Sequence, residues 1–363
     1  MTKPGSAASP ARPPELAEFQ SLYEFDFDDY QLAACRALAD GHGVLLAAPT
    51  GAGKTVVGEF AVHLALAQGR KCFYTTPIKA LSNQKYGDLV KRYSAATVGL
   101  LTGDNSINGE APVVVMTTEV LRNMLYAGSP TLAGLAHVVL DEVHYLADRF
   151  RGAVWEEVII HLPESVTLTA LSATVSNAEE FGDWLTSVRG GTTVIVDDER
   201  PVPLWQHMMV GGRLYDLFGG VDTPPPQRQR VNPGLLRITR LAPPAGGARS
   251  ARGHRRNDAI ARSRGAVRAA PRLAPPRRAE VITRLDRAGL LPAITFIFSR
   301  AGCDAAVRQC LAAGLRLTNK AEADEIARIA AARTADIPEH DLSVLGYQDW
   351  LAGLVRGDRK SVV

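Results

Sequence analysis

A glycine-rich turn joins an apolar run to an amphipathic stretch near the start of the chain, and few folds accommodate that combination. Residues 48–55 read A-P-T-G-A-G-K-T. They follow the apolar run 44–48 and precede 55–68, where apolar side chains recur on one helical face before Gly69. A buried strand that turns through glycines directly into a helix is typical of phosphate-binding loops. We therefore predict a strand, such a loop and a helix over residues 44–68.

Six further short apolar runs follow and alternate with amphipathic stretches. They lie at residues 72–76, 98–101, 113–117, 137–142, 167–173 and 193–197. Strands that alternate with helices favour a mostly parallel sheet that is covered on both faces. The predicted fold class is therefore α/β, with the parallel sheet of a P-loop NTPase.

The glycine-rich loop has the chemistry that binding of a nucleoside triphosphate requires. Its glycines allow backbone N–H groups to surround phosphate oxygens at the positive end of a helix. Lys54 can supply a charge to the β and γ phosphates, and the Thr55 hydroxyl can ligate Mg²⁺. The predicted nucleotide contacts in the loop are Ala48, Pro49, Thr50, Gly51, Ala52, Gly53, Lys54 and Thr55. A plain strand-to-helix turn with a surface lysine is the alternative interpretation.

Two acidic residues, Asp141 and Glu142, end the apolar run and open the segment D-E-V-H. Adjacent carboxylates at the end of a buried strand are unfavourable unless a cation or a reaction partner lies there. We predict that Asp141 holds Mg²⁺, directly or through water. Glu142 is predicted to orient and deprotonate the attacking water, and it is also a candidate metal ligand. A solvated strand end is the other interpretation.

Four segments together resemble the motifs of superfamily 2 DExH-box helicases: A-P-T-G-A-G-K-T, P-I-K-A-L-S-N-Q-K at 77–85, D-E-V-H at 141–144 and S-A-T at 172–174. The sequence is similar to the superkiller type, which feeds RNA to degradation machinery, and within it to the actinobacterial HelY helicases. The resemblance covers residues 22–218 and resumes over 279–356. It implies RecA-like domains, ATP and Mg²⁺ as cofactors, and RNA as a single strand or tailed duplex. RNA-degradation machinery is an implied partner.

The same resemblance assigns roles to residues at matching positions. Phe25 and Gln31 match the aromatic residue and the glutamine that read adenine in the family. The residues that would grip a nucleic-acid backbone without reading its sequence are Pro77, Lys79, Ala80, Gly103, Asp104, Thr118, Glu119 and Arg122. Those that would couple hydrolysis to domain movement are His144, Ser172 and Thr174. Each hydroxyl among them could instead cap a helix or satisfy a turn.

Composition indicates how the chain is organised up to residue 280. Residues 1–20 are rich in Pro, Ala and Ser and are expected to form a disordered tail. An ATP-binding RecA-like domain is expected over 21–200, and a linker over 201–280. Between residues 227 and 278 the linker carries fourteen arginines, no lysine and a single acidic residue, Asp258. Such a block attracts polyanions whether or not it has a specific partner.

A second, incomplete RecA-like domain is expected over residues 281–363. Its pattern is a helix, a buried strand at 293–299 and a further helix, which is too little for an independent sheet. The family's second domain contributes arginines from a Q-x-x-G-R-x-G-R segment, and none follows Arg300. We therefore expect the arginine finger to be missing from this chain, as in a truncated relative.

Several functional classes are excluded by composition. No apolar run approaches the roughly 18 residues that span a bilayer, and the first residues lack the apolar core of a secretory signal. The four cysteines have neither the spacing of a zinc site nor that of a disulfide framework. Membrane, secreted and zinc-stabilised classes are therefore disfavoured, and a cytoplasmic location is expected.

The sequence thus predicts an ATP-dependent DExH-box RNA helicase. Two alternatives stay open. A DNA helicase of the same superfamily would have the same phosphate-gripping motifs, because only a contact to the 2′-OH separates RNA from DNA. A non-catalytic fragment that binds ATP and nucleic acid would account for the missing arginine finger.

Overall fold

Most of the chain is described by the computed structural model, which covers residues 13–174, 177–219, 230–241 and 276–357. The chain divides into two compact units, Met1–Leu204 and Trp205–Val363. Within the described ranges, no helix combines the length and the apolar character needed to cross a bilayer.

The first unit is built on eight strands. They are β1 (Gly43–Ala47), β2 (Lys71–Thr76), β3 (Val98–Leu101), β4 (Ser106–Ile107), β5 (Val113–Thr117), β6 (Leu135–Leu140), β7 (Thr167–Ser172) and β8 (Thr192–Val196). Their order in the sheet is β4-β3-β5-β2-β6-β7-β1-β8, and only the β3–β4 pair is antiparallel. The carboxyl ends of the parallel strands therefore meet at one edge, where α/β proteins place their sites.

Helices cover both faces of this sheet. They are α1 (Pro14–Gln20), α2 (Asp29–Ala39), α3 (Thr55–Ala67), α4 (Lys79–Tyr93), α5 (Thr118–Tyr126), α6 (Gly152–His161) and α7 (Ala178–Arg189), with 3₁₀ turns at Pro130–Leu132 and Val143–Ala147. Successive residues of β1 point to opposite sides, so that Val44 and Leu46 pack in one apolar cluster with α1 to α4. Leu45 packs in the other, with α5 to α7. Burial on both faces explains why these strands are continuously apolar.

The α/β prediction is confirmed for this unit. Each of the seven apolar runs contains a strand, and the predicted helix over 55–68 is α3. The short β4 was not predicted, because two exposed residues carry no recognisable pattern.

The expectation of a disordered tail over residues 1–20 is wrong for its last part, where α1 lies. Leu16 and Phe19 are three positions apart on this helix and are both completely buried. The Phe19 ring lies 5.3 Å from that of Phe60 on α3. This helix is thus held by tertiary packing rather than by its own composition. The rest of the expected tail, residues 1–12, lies outside the described residues.

The second unit begins inside the predicted linker, which is therefore too long as predicted. It opens with a hairpin of β9 (His207–Val210) and β10 (Arg213–Asp216), joined by Gly211 and Gly212, both at positive φ. A two-glycine turn between short strands favours this conformation. The helix α8 (Pro233–Leu241) also falls in the predicted linker. Residues 242–275, which hold most of the arginine block, lie outside the described residues.

The remaining described residues of the second unit form five helices: α9 (Arg278–Arg287), α10 (Arg300–Ala312), α11 (Lys320–Arg333), α12 (Glu339–Val344) and α13 (Tyr347–Leu354). The two predicted helices correspond to α9 and α10, but the buried strand predicted at 293–299 is wrong. This segment forms no strand, and Ile294 and Phe296 are each 82% exposed. An apolar run becomes a strand only where a neighbour pairs with it.

Candidate nucleotide and nucleic-acid site

The glycine-rich loop leads directly from the end of β1 to the first residue of α3. Gly51 and Gly53 both have φ of 87°, a conformation that strongly favours glycine. A Cβ atom on Gly53 would also lie 2.7 Å from the Gln31 amide nitrogen. Gly51 is therefore needed for the backbone conformation, and Gly53 is needed both for that conformation and for close packing against Gln31.

Lys54 is held inside this loop. Its Nζ donates hydrogen bonds to the carbonyl oxygens of Ala48, at 2.7 Å, and Pro49, at 2.9 Å. Burial lowers the pKa of Lys54, while the nearby charges of Glu142 and Asp141 act in the opposite direction. The lysine of the loop and the acidic pair that follows β6 are thus electrostatic neighbours, as a site for a phosphate and its cation requires.

Asp141 has both carboxylate oxygens engaged. Oδ2 accepts a hydrogen bond of 2.9 Å from the Tyr74 hydroxyl, and Oδ1 accepts one of 3.0 Å from the Glu142 backbone N–H. Burial raises the pKa of Asp141, and the Tyr74 hydrogen bond and the charge of Lys85 partly oppose this. The carboxylate is therefore fixed in orientation before it meets any cation.

Glu142 lies on a strained backbone. Its φ of 55° is in the left-handed region, which is uncommon for any residue other than glycine. Burial and the charge of Asp141 raise the pKa of Glu142, which makes it a stronger base than an exposed carboxylate. Strain of this kind often accompanies a functional site.

A buried charge network behind Asp141 was not predicted. The Lys85 ammonium lies 5.3 Å above the Tyr74 ring and 3.3 Å from Glu59 Oε1. Glu59 Oε2 accepts a hydrogen bond of 2.7 Å from the Tyr23 hydroxyl and forms an ion pair of 2.8 Å with Arg92. The sequence signal was weak, since Lys85 and Arg92 share a helix face but Glu59 is remote in the chain.

Mg²⁺ fits the donors at this edge. The Asp141 carboxylate and the Thr55 hydroxyl are hard oxygen ligands, and Mg²⁺ commonly takes few protein ligands and completes its shell with phosphate and water. Among the described residues no cluster of three or more His, Cys, Asp or Glu side chains could hold a metal. A cation held by Asp141 and Thr55 would take the rest of its shell from phosphate and water.

Of the two predicted adenine contacts, Gln31 lies beside the loop and Phe25 packs on Tyr23. Gln31 is buried, with its amide donating to the Gly53 carbonyl at 3.1 Å and its Oε1 accepting from the Asp28 backbone N–H at 2.9 Å. Phe25 is half exposed, and its ring packs edge-on against Tyr23 at 5.2 Å. Gln31 is thus already bonded at both ends of its amide.

His144 and the segment 172–174 are brought together by the fold. His144 Nδ1 lies 3.3 Å from Glu142 Oε2 and 3.4 Å from the backbone nitrogen of Ala173. One ring nitrogen cannot donate to the first and accept from the second at once. Ser172 bonds to the Ala173 carbonyl at 2.8 Å, while Thr174 is exposed.

The predicted nucleic-acid contacts form two neighbouring groups at the carboxyl ends of β2, β3 and β5. In the first, the exposed Lys79 pairs with Asp104 at 2.7 Å, and Gly103 lies beside the same lysine. Ala80 is exposed next to it. These residues offer one cation and one anion close together on an open surface.

In the second group an arginine that was not predicted makes the main contacts. Arg151 Nη2 donates to the Pro77 carbonyl at 2.6 Å, and Nε donates to Glu119 Oε1 at 3.1 Å. Arg122 lies on the same helix as Glu119 and is 3.8 Å from Glu157. Arg151 was not predicted, because Pro77 and Glu119 are distant from it in the sequence. Its position directly before Gly152 was the one local sign of a structured turn.

Thr118, a further predicted nucleic-acid contact, lies inside the domain. Thr118 is completely buried at the start of α5, and its hydroxyl lies 3.5 Å from the Thr76 carbonyl oxygen. Its burial favours the alternative, a structural hydroxyl at a helix start.

Comparisons with known proteins agree with this geometry. The DEAD/DEAH box helicase family matches residues 28–181. The chain is 60% identical over 350 residues to the probable helicase HelY of Mycobacterium leprae, which is 94% of this chain and 37% of that protein. It is 38% identical over 319 residues to the chloroplastic DExH-box ATP-dependent RNA helicase DExH15 of Arabidopsis thaliana, covering 81% of this chain and 27% of the relative.

A third relative is the ATP-dependent RNA helicase mtr4 of Schizosaccharomyces pombe, 45% identical over 191 residues, which are 52% of this chain and 17% of the relative. The chain thus spans little more than a third of the HelY protein that it matches. The resemblance to DExH-box helicases found in the motifs is confirmed by these matches. The chain carries a DEAD/DEAH box helicase domain, which spans residues 28–181.

Proposed function

We propose that this helicase domain binds ATP with Mg²⁺ and couples ATP hydrolysis to translocation along RNA or to its unwinding. The observation that carries the proposal is the convergence of Lys54 with Asp141 and Glu142 at one edge of the sheet. A cation, a carboxylate that can bind a metal and a carboxylate that can act as a base, all at one edge of the sheet, have the charges that phosphoryl transfer to water needs.

Each residue has a separate role in the proposal. Backbone N–H groups of the loop and Lys54 hold the phosphates, while Thr55 and Asp141 hold Mg²⁺, which neutralises developing charge when bound. Glu142, whose pKa is raised by burial and by Asp141, takes the proton of the attacking water. His144 lies between Glu142 and Ala173 and would pass the state of the site to the segment 172–174.

RNA is the proposed substrate because two of the relatives reported above bear the name RNA helicase. The exposed Lys79 and Ala80 with Gly103 and Asp104 would contact the sugar-phosphate backbone. A role beside RNA-degradation machinery is proposed on the likeness to the exosome RNA helicase of mouse, which is 43% identical over 200 residues.

Nucleotide binding is the direct test. The affinity for a fluorescent ATP analogue is measured with Mg²⁺ for the unmodified chain, for Lys54→Ala and for Lys91→Ala, which removes an exposed lysine of α4 as the matched control. Lys54→Ala should lose binding while keeping its thermal midpoint, and Lys91→Ala should bind normally. Unchanged affinity in Lys54→Ala would refute the nucleotide site.

Competition between single strands of RNA and DNA of the same sequence tests the substrate. The proposal expects RNA to displace a labelled RNA at lower concentration than DNA does. Equal or stronger displacement by DNA would favour the DNA helicase instead. A binding assay measures this preference directly and does not require turnover.

A further inference from the structure

The turn that follows the acidic segment is rigidly built. Asp148 Oδ1 accepts hydrogen bonds of 2.9 Å from the backbone N–H groups of both Phe150 and Arg151. The Asp148 carbonyl accepts a third, of 2.8 Å, from Gly152. A Cβ on Gly152 would lie 2.0 Å from the Leu146 carbonyl oxygen, so only glycine permits this close return of the chain.

This rigid turn presents an aromatic ring to solvent. Phe150 is 90% exposed, whereas the large side chains of the surrounding domain are mostly buried. Its neighbours in the sequence, Arg149 and Arg151, are both cationic. An exposed aromatic ring on a hydrogen-bonded turn, flanked by arginines, is the combination with which proteins stack single-stranded bases and attract their phosphates.

The turn also lies against the proposed nucleic-acid contacts. The Arg151 side chain reaches back to the Pro77 carbonyl and to Glu119. Because this arginine neutralises the Glu119 carboxylate, a phosphate approaching that surface meets less repulsion. Phe150 is therefore the sequence neighbour of Arg151, whose side chain contacts two residues that are predicted to bind the nucleic-acid backbone.

We propose that Phe150 is a base-stacking contact for single-stranded nucleic acid, with Arg149 supplying charge to the backbone and Arg151 bracing the turn. The inference rests on the proposed function, since it adds a base contact to a surface that otherwise touches only sugar and phosphate. Stacking tolerates any base, so the contact adds affinity without sequence preference.

Crosslinking and affinity measurements test this inference on the full chain. A single-stranded RNA carrying 4-thiouridine is crosslinked under ultraviolet light, and the modified peptide is identified by mass spectrometry. The dissociation constant is measured in parallel at raised salt, where the contribution of the arginine block is weakened. We expect a crosslink at Phe150 and a Kd about fivefold or more higher in Phe150→Leu.

Two variants of Phe150 distinguish base stacking from a general apolar contact. Phe150→Trp should keep the affinity, while Phe150→Leu should lose it without a change in thermal midpoint, since the side chain buries little surface. Val188→Ala is the control, because this exposed apolar residue lies on α7, which carries none of the predicted nucleic-acid contacts. Normal affinity and no crosslink in the Phe150 region would overturn the inference while leaving the proposed function intact. Failure of the unmodified chain to bind RNA would overturn both.

Discussion

Replacing Tyr74 with phenylalanine removes a single hydroxyl from behind the acidic pair. Tyr74 lies on β2 and is completely buried, and its hydroxyl donates to Asp141 Oδ2 at 2.9 Å. The phenyl ring would still fill the same space and would still lie under the Lys85 ammonium. The substitution therefore isolates the hydrogen bond that orients Asp141.

The expected magnitude follows from that geometry. A hydrogen bond to a charged group contributes about 1.5–3 kcal/mol, and loss of a partner that orients a metal ligand commonly weakens metal binding by about 10- to 100-fold. Burial already raises the pKa of Asp141, and without the Tyr74 donor the ionised form becomes less favourable still. We expect Mg²⁺-dependent ATP binding to weaken by at least about tenfold.

The assay compares the Kd for a fluorescent ATP analogue in Mg²⁺ with that in EDTA. Tyr74→Phe should raise the Kd in Mg²⁺ and leave that in EDTA nearly unchanged, because the phosphate loop is untouched. Tyr93→Phe is the control, since this tyrosine packs against the same apolar cluster and its hydroxyl does not contact Asp141. An equal loss in both conditions, or no loss, would refute the positioning role.

Two further predictions concern pH and salt. His137 is buried in β6, and burial lowers its pKa to about 4, whereas an unfolded histidine titrates near about 6.5. Between these values the unfolded chain binds the proton and the folded chain does not, so stability falls as pH falls. From pH 7 to pH 5 the loss of unfolding free energy amounts to about 2 kcal/mol. In urea titrations the unfolding free energy should change less with pH for His137→Leu than for His42→Leu, in which an exposed histidine is replaced. Equal pH dependence of the two variants would contradict the effect. Deleting residues 227–278 should reduce the slope of log Kd for single-stranded RNA against log salt, because fourteen arginines release counterions from phosphates; an unchanged slope would make the block an inert spacer.

The parallel sheet could be predicted because each strand buried on both faces leaves a continuous apolar run. The phosphate loop and the acidic pair were equally visible, since each is contiguous in sequence and tied to a strand end. The helix α1 could not be found in this way, because Phe19 gains its burial from Phe60, which lies elsewhere in the chain. The strand predicted at 293–299 was wrong for the opposite reason. An apolar run indicates that a segment could form a strand, but it does not show that a neighbouring strand is there to pair with it.

The contacts that support the site residues could not be predicted from the sequence. Tyr74 looks like any strand residue until its hydroxyl is placed against Asp141. Arg151 looks like a surface arginine until the fold brings Pro77 and Glu119 to it. Both contacts join segments that are distant in the chain, and such contacts leave no local pattern. The hairpin at Gly211 and Gly212, by contrast, had a readable turn that the surrounding linker-like composition obscured.

The left-handed backbone at Glu142 lowers the stability of the fold at the residue for which we propose the role of base. A side chain with a Cβ at this φ is disfavoured by about 1–2 kcal/mol relative to glycine. A library of variants selected only for resistance to heat would therefore enrich glycine at position 142 and discard the carboxylate. Efforts to stabilise this domain for crystallisation or industrial use should hold that residue fixed and seek their gains elsewhere.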